Sequence, residues 1–276
     1  VNARLSERSA RGYGRVGALA REAIGNLAGI AAQGAPDADR LRALGAKHVE
    51  VTGNIKFDLA IAPGIAERAQ ALREALGAGR RIWVVGSTRD GEESLLAEAI
   101  AKANPAPDVL VVFVPRHPQR FDEVHALLAA EGASVGRRSL GEGAAAGSRY
   151  YLGDSMGELL AFYAAADVAF VGGSLGPFGG QNLIEPCAVG RPVLFGPHTF
   201  NFESAAEAAI ARGAGLRARD AAEAVAIALA LLDDPARAKA MGERAARFAA
   251  DNRGALARLL AWLRPRLPAS PGRARG

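Results

Sequence analysis

Arg116 stands in Pro115-Arg116-His117-Pro118, where two prolines fix the backbone around a guanidinium that cannot lose its charge. That combination suits a phosphate; a solvated surface arginine is the plain alternative. A second stretch runs Gly172-Gly173-Ser174, then Gly179-Gly180-Gln181-Asn182-Leu183-Ile184-Glu185. Paired glycines permit positive φ and a close backbone approach, and a following helix N-terminus favours negative charge. Asn182 and Glu185 are three apart and share a helix face. A carboxylate beside a phosphate is repelled, so Glu185 suits sugar hydroxyls. A nucleotide with its phosphate on the glycines and its ribose on the glutamate satisfies both; a glycine turn made for packing is the alternative. In Gly86-Ser87-Thr88-Arg89-Asp90-Gly91-Glu92-Glu93, Ser87 or Thr88 can cap a helix and leave backbone N–H groups for an anion. In Gly153-Asp154-Ser155-Met156-Gly157-Glu158, the spacing reads as a capping box led by Asp154 or Ser155.

Other candidates carry less. Gly12-Tyr13-Gly14-Arg15-Val16-Gly17 matches G-x-G-x-x-G, but that motif needs a strand before it and residues 5–11 are polar and helix-like. His48, His117, His125 and His198 are dispersed, with no carboxylate or cysteine at ligand spacing, so no metal site is expected. Cys187 has no histidine partner in reach of its sequence and reads as a small buried residue.

The elements that must position these loops follow from hydrophobic period. β-branched runs at 48–51, 82–85, 109–114, 133–135, 150–152, 168–171, 193–195 and 215–217 alternate with segments of helical period at 92–103, 118–130, 156–166, 183–189, 205–211 and 221–232. Strands this apolar are covered on both faces, so a parallel sheet between helices is expected, a Rossmann-like α/β domain from about Ala62 to Asp234. In such sheets ligands bind at the carboxyl ends of the strands, where the four chemical loops fall. Residues 235–267 are helix formers broken at Gly254, and the segment before Lys56 holds one or two helices and a strand, too little for a core of its own.

At 276 residues and 50% hydrophobic, the chain is globular, with one large or two smaller domains. The single cysteine excludes an intramolecular disulfide and a cysteine-based zinc cluster, and fits a reducing compartment. No apolar run approaches the ~20 residues of a membrane span. The net charge of +5 raises the question of nucleic acid, but lysine occurs only at Lys47, Lys56, Lys102 and Lys239 and the arginines are scattered among helices, so no nucleic-acid partner is expected. The chain opens on Val1-Asn2-Ala3-Arg4, which reads as a strand end entering a polar helix, and is expected to be the C-terminal part of a longer protein.

Six strings, taken together and in order, resemble the 3-deoxy-D-manno-octulosonic acid (Kdo) transferases, glycosyltransferases of lipopolysaccharide biosynthesis. They are Asn2-Ala3-Arg4-Leu5-Ser6, Gly53-Asn54-Ile55-Lys56-Phe57-Asp58, Val114-Pro115-Arg116-His117-Pro118, Gly153-Asp154-Ser155-Met156-Gly157-Glu158-Leu159, Phe170-Val171-Gly172-Gly173-Ser174 with the stretch from Gly179 to Glu185, and Gly196-Pro197-His198-Thr199-Phe200-Asn201-Phe202. The resemblance implies a GT-B fold, two Rossmann-like domains of which the C-terminal one is complete here and the N-terminal one only partly present. The implied division is 1–56 for the remnant of the N-terminal acceptor domain, 57–250 for the CMP-sugar-binding domain, 251–263 for a C-terminal helix and 264–276 for a basic, disordered tail.

It further implies inverting, metal-independent transfer from CMP-Kdo to lipid IVA, with no cofactor, at the cytoplasmic face of the bacterial inner membrane. The implied CMP contacts are Pro115, Arg116, Met156, Gly157, Glu158, Asn182, Leu183, Ile184 and Glu185, which takes the third loop away from the capping reading. Ser87, Thr88, Gly173, Ser174 and Gly180 line the donor pocket, and Lys56 lies near the interdomain crossing. The general base is implied to be a glutamate of the N-terminal domain, outside this chain, so the fragment alone is expected to be inactive; a first domain this incomplete is also expected to leave apolar surface exposed and limit solubility. The sequence departs from the family at Arg89, where histidine is usual after Ser-Thr. The alternatives are a CMP or CMP-sugar binding module without catalysis, and another GT-B enzyme such as a UDP-sugar transferase or epimerase.

Overall fold

The computed structural model describes residues 1–15, 17–131 and 134–267, which divide into two compact units, one built from residues 1–59 with the segment from Asp251 onward, the other from Ala60–Ala250. The first unit begins with α1 (Glu7–Arg15) and α2 (Gly17–Gly25), then β1 (Ile30–Ala32), α3 (Ala35–Ala43) and β2 (Val49–Val51). β1 pairs in parallel with β2, and Ala3 makes a parallel bridge to Ala32. The G-x-G-x-x-G letters fall on α1 and α2, with Val16 outside the described residues, so no strand feeds them. Leu5, Ile30, Ala32, Ala38, Leu41 and Ala46 bury together. Among its described residues the segment thus has three helices, two strands and a small core, more than its sequence suggests, because Ile30-Ala31-Ala32 carries too little β-branched character to announce a strand.

The second unit runs α4 (Ile65–Leu76), β3 (Arg81–Thr88), α5 (Glu92–Ala103), β4 (Val109–Pro115), α6 (Phe121–Ala130), β5 (Gly136–Arg137), β6 (Tyr150–Leu152), α7 (Leu159–Ala165), β7 (Val168–Val171), α8 (Ile184–Ala188), β8 (Val193–Phe195), α9 (Glu203–Ala211), β9 (Gly215–Arg217), α10 (Ala221–Leu232) and α11 (Pro235–Asp251). Its seven strands form a parallel sheet in the order β5-β6-β4-β3-β7-β8-β9. From β3 the chain winds outward through β4 to β6, then returns to β7 on the other side of β3. The order reverses between β3 and β7, and the loops leaving these two strands flank the place where doubly wound sheets bind ligands.

Period-2 alternation explains the two-faced core. Trp83, Val85, Val111, Phe113 and Phe170 face one helical layer that includes Leu96, Leu128, Val225 and Leu231. Ile82, Val84, Leu110, Val112 and Tyr151 face the other, which includes Leu72, Leu76, Phe162 and Tyr163. Two expectations are corrected here. The strand expected at 133–135 lies at Gly136–Arg137, with Ala133 outside the described residues, and α4 was not foreseen although Ala69, Leu72 and Leu76 bury at helical spacing. Helix starts also move inward: α6 begins at Phe121 after a 3-10 turn over Pro118–Arg120, α7 at Leu159 and α8 at Ile184.

The expected separate C-terminal helix, α12 (Ala255–Leu263), belongs to the first unit. Gly254, at φ +84°, turns the chain into it, and the carboxylate of Asp58 accepts from the N–H groups of Gly254 and Leu256 at 2.5 and 2.6 Å. Arg258 reaches from the helix to the carbonyl of Thr52 at 3.0 Å. Asp58 therefore caps α12 from a distant part of the sequence, and Asp58→Ala is expected to cost about 1 to 2 kcal/mol of unfolding free energy. A urea titration that finds no change would remove this role. The expected basic tail is a 3-10 turn over Arg264–Arg266, and residues 268–276 lie outside the described residues. Among the described residues no helix is long and apolar enough to cross a membrane.

Candidate functional site

Four loops at the carboxyl edge of the seven-stranded sheet hold most of the predicted residues, and hydrogen bonds tie them together. The loop after β3 carries Ser87 and Thr88. Strand β3 bulges against β4 at Ser87, which takes φ +57°, and the amide of Arg116 donates to the carbonyl of Thr88 at 3.0 Å. Neither residue caps α5, as the sequence had suggested. Gly91, at φ +81°, precedes that helix, while the buried Thr88 hydroxyl donates to Glu93 Oε1 at 2.6 Å.

The decisive residue of this loop is Glu92, which the sequence did not single out. It is 1% exposed, and its carboxylate accepts from four backbone amides: Gly173 at 2.6 Å, Ser174 at 2.9 Å, Leu175 at 2.8 Å and Arg89 at 2.8 Å. The amides after β7 form an anion-binding nest, and a carboxylate of the protein already fills it. Gly172 N–H donates to Gly86, Gly180 N–H to Gly173 and Gln181 N–H to Gly172. The amides of Gly172, Gly173 and Gly180, expected to meet a phosphate, donate to acceptors within the protein. The glycines serve close packing instead. A Cβ on Gly86 would lie 2.2 Å from Tyr163 Oη, one on Gly172 2.6 Å from Thr88 Cα, and one on Gly196 2.3 Å from the carbonyl oxygen of Ser174.

At the end of β4, Pro115 is buried and Arg116 exposed, and among the described residues Arg116 makes no ion pair. Arg120 differs. It clamps both oxygens of buried Glu93 at 2.8 and 2.9 Å and also meets Glu123 and Asp90. Glu93 is nonetheless held above the usual carboxylate range, because burial outweighs the opposing bonds from Thr88 and Arg120. Partial burial, then the charges of Arg89, Arg116 and Arg120, push the His117 pKa down from its ordinary value. Arg89 lies over the ring of Phe178 from the loop after β7, 4.9 Å from its centroid.

After β6 the capping box is absent. Asp154, 4% exposed, accepts from Arg137 Nε at 2.7 Å and from the amide and hydroxyl of Ser139 at 2.8 and 2.6 Å. Glu158 accepts a bidentate pair from Arg138, both bonds at 2.9 Å, and a bond from the Ser155 hydroxyl. These side chains pin the edge strand β5 and its turn to the loop, which leaves Met156, 62% exposed, and Gly157, at φ +80°, to face solvent. The Arg138 bonds hold Glu158 below its ordinary pKa.

Asn182 and Glu185 do share a face: Asn182 Nδ2 donates to Glu185 Oε1 at 3.0 Å, and Asn182 Oδ1 accepts from Ile184 N–H at 3.2 Å. Burial pushes the Glu185 carboxyl up, against the Asn182 bond and the positive charge of Arg116. Leu183 and Ile184 are buried as whole residues, at 2% and 0% exposure. The loop after β8 locks onto the same edge, with His198 N–H on the Ser174 carbonyl and Asn201 N–H on the Gly179 carbonyl.

Lys56 belongs to the first unit, in the 3-10 turn Ile55–Asp58, with its amide on Asn54 Oδ1 at 3.0 Å. Cys187 is fully buried and its thiol is pushed up to about 12 by burial, which suits packing and not nucleophilic chemistry. Among the described residues no group of three His, Cys, Asp or Glu side chains is arranged to hold a metal ion. Clefts of about 480 and 640 Å³ lie at the amino ends of the strands, lined by Arg73, Asp167 and Arg191 among others. Arg73 pairs with Asp167 at 2.9 Å and donates to the carbonyls of Ala165 and Arg80, and Arg191 donates to the carbonyl of Ala164.

Residues 1–59 match the family model described as 3-Deoxy-D-manno-octulosonic-acid transferase (kdotransferase). A 3-deoxy-D-manno-octulosonic acid transferase of Bordetella pertussis is 46% identical over 94% of this chain and 61% of its own length, and one of Haemophilus influenzae 38% identical over 97% and 64%. The chain thus spans somewhat more than three fifths of these relatives. The crystal structure of the C-terminal CMP-Kdo binding domain of WaaA from Acinetobacter baumannii is 36% identical with a TM-score of 0.64, covering 68% of this chain and 98% of that one. Anabaena Alr3699/HepE in complex with UDP, 17% identical with a TM-score of 0.61 over 95% of this chain, shows the same α/β fold of the GT-B glycosyltransferases. With its loops at the carboxyl edge of a doubly wound sheet and this degree of identity across a whole solved domain, the chain belongs to the Kdo transferase family.

Proposed function

We propose that the chain supplies the donor-binding part of a glycosyltransferase that moves Kdo from CMP-Kdo to lipid IVA in lipopolysaccharide biosynthesis, with inversion, without a metal, at the cytoplasmic face of the inner membrane. The observation that carries this reading is the 36% identity to a CMP-Kdo binding domain matched over 98% of its length, together with Arg116 at that edge, in no ion pair among the described residues.

In this reading CMP leaves as its phosphate gains charge, and a guanidinium stabilises that charge in place of a cation. Arg116 is free to do so because it pairs with no carboxylate among the described residues. Glu185, steadied by Asn182, takes the ribose hydroxyls, and the backbones of Met156, Gly157, Leu183 and Ile184 border the nucleoside. The amides of Gly173, Ser174 and Gly180 hold the loops rather than the phosphate.

Calorimetric titration of the chain with CMP and with UMP, in EDTA, tests the reading. Saturable CMP binding with little response to UMP is expected, and equal binding of both nucleotides, or of neither, would sink it. Arg116→Ala and Glu185→Ala are each expected to weaken CMP binding by about 1 to 3 kcal/mol, the range of charge-assisted hydrogen bonds. Unchanged affinity in both variants would remove the residue assignment.

A further inference from the structure

The proposed donor carries two anions, the phosphodiester of CMP and the carboxylate that makes its sugar an acid. After β7 the amides of Gly173, Ser174 and Leu175 are taken by Glu92, and those of Gly180 and Gln181 by the carbonyls of Gly173 and Gly172. Side-chain cations at the carboxyl edge are the groups suited to meet both charges. Three guanidinium groups bear on His117 there, those of Arg89, Arg116 and Arg120. Arg120 is spent on Glu93, Glu123 and Asp90. Arg89 and Arg116 are in no ion pair among the described residues. Their acidic neighbours are accounted for: Glu92 by four amides, Glu93 and Asp90 by Arg120, and Glu185 by Asn182 and the field of Arg116.

Arg89 is also oriented. Its guanidinium lies 4.9 Å from the centroid of Phe178, and its stem passes Gly173, where a Cβ would come within 3.5 Å of Arg89 Cγ. Stacking on an aromatic face immobilises the guanidinium plane while its edge keeps the fork of N–H donors that matches a carboxylate. We propose that Arg89 is a specificity-determining residue of this chain, taking the carboxylate of the donor's sugar acid while Arg116 takes the phosphate. The inference rests on the donor reading above and adds a second anion subsite to it.

The test compares the affinities of CMP and CMP-Kdo for the chain and for its Arg89→Gln and Arg89→Lys variants. The chain is expected to bind CMP-Kdo at least about tenfold more tightly than CMP, the scale of one bidentate charge-assisted pair. In Arg89→Gln that ratio should fall to about twofold or less, and Arg89→Lys, which keeps the charge but loses the fork, should fall between. A ratio unchanged in both variants, or a chain that binds CMP but prefers it to CMP-Kdo, overturns the subsite and leaves the donor reading standing. A chain that binds neither ligand overturns the donor reading itself, and the subsite with it.

Discussion

Replacing Glu92 by alanine is expected to lower the free energy of unfolding by about 3 to 5 kcal/mol, the range for removing one side of a buried charged network. The carboxylate gathers four amides from two loops, and without it those N–H groups are buried with no acceptor. Glu92→Gln should recover only part of the loss, because its amide nitrogen turns a donor toward donors. Urea titrations of the two variants give the comparison. A loss below about 1 kcal/mol in Glu92→Ala would show that the loop after β7 holds its shape unaided. Added formate should partly restore Glu92→Ala by entering the vacated nest.

Gly172→Ala is the second large effect. Its Cβ would lie 2.6 Å from Thr88 Cα and 2.7 Å from the Ser87 carbonyl oxygen. Both are backbone atoms, so no side chain can swing aside, and the tips of β3 and β7 must part. A cost of about 3 kcal/mol is expected, at the upper end for overpacking. Gly79→Ala, where no heavy atom lies within 4 Å of the new Cβ, is the control and should stay within about 0.5 kcal/mol of the parent. Thermal unfolding of the pair decides the matter, and equal midpoints would rule out the close approach of the strand tips.

Strands were the most legible part of the sequence. Tyr150–Leu152, Val168–Val171, Val193–Phe195 and Gly215–Arg217 lie where their apolar runs put them, because a strand covered on both faces must be apolar throughout. The same rule placed Pro115 at the end of β4, Arg116 and Asn182 on loops, and Glu185 in the first turn of α8, all at one edge of the sheet. Hydrogen-bond partners were not legible. Asp154 and Glu158 have the spacing of a capping box, yet they serve Arg137, Ser139 and Arg138, contacts fixed by which strand becomes the neighbour of β6. Glu92 looked like an ordinary acidic residue in a first helical turn, and only the fold brings the Gly173 to Leu175 amides back onto it. Helix α4 was missed for a different reason: its buried face rests on Ala69, Leu72 and Leu76, too sparse in large apolar residues to stand out among alanines and arginines.

The capture of α12 by Asp58 has a consequence for the order of synthesis. Residues 60–250 form one unbroken stretch of chain, so the sheet that carries the loops can close while the ribosome is still working. The other unit cannot. Its last helix is made only after residues 60–250, and until Gly254 and Leu256 emerge the Asp58 carboxylate has no helix end to hold. Domains that fold as they leave the ribosome usually finish in order from the N-terminus; here the earlier segment must wait for the later one. Loss of a few residues from the C-terminal side of Gly254 would therefore be felt first at Asp58, nearly two hundred residues earlier in the chain.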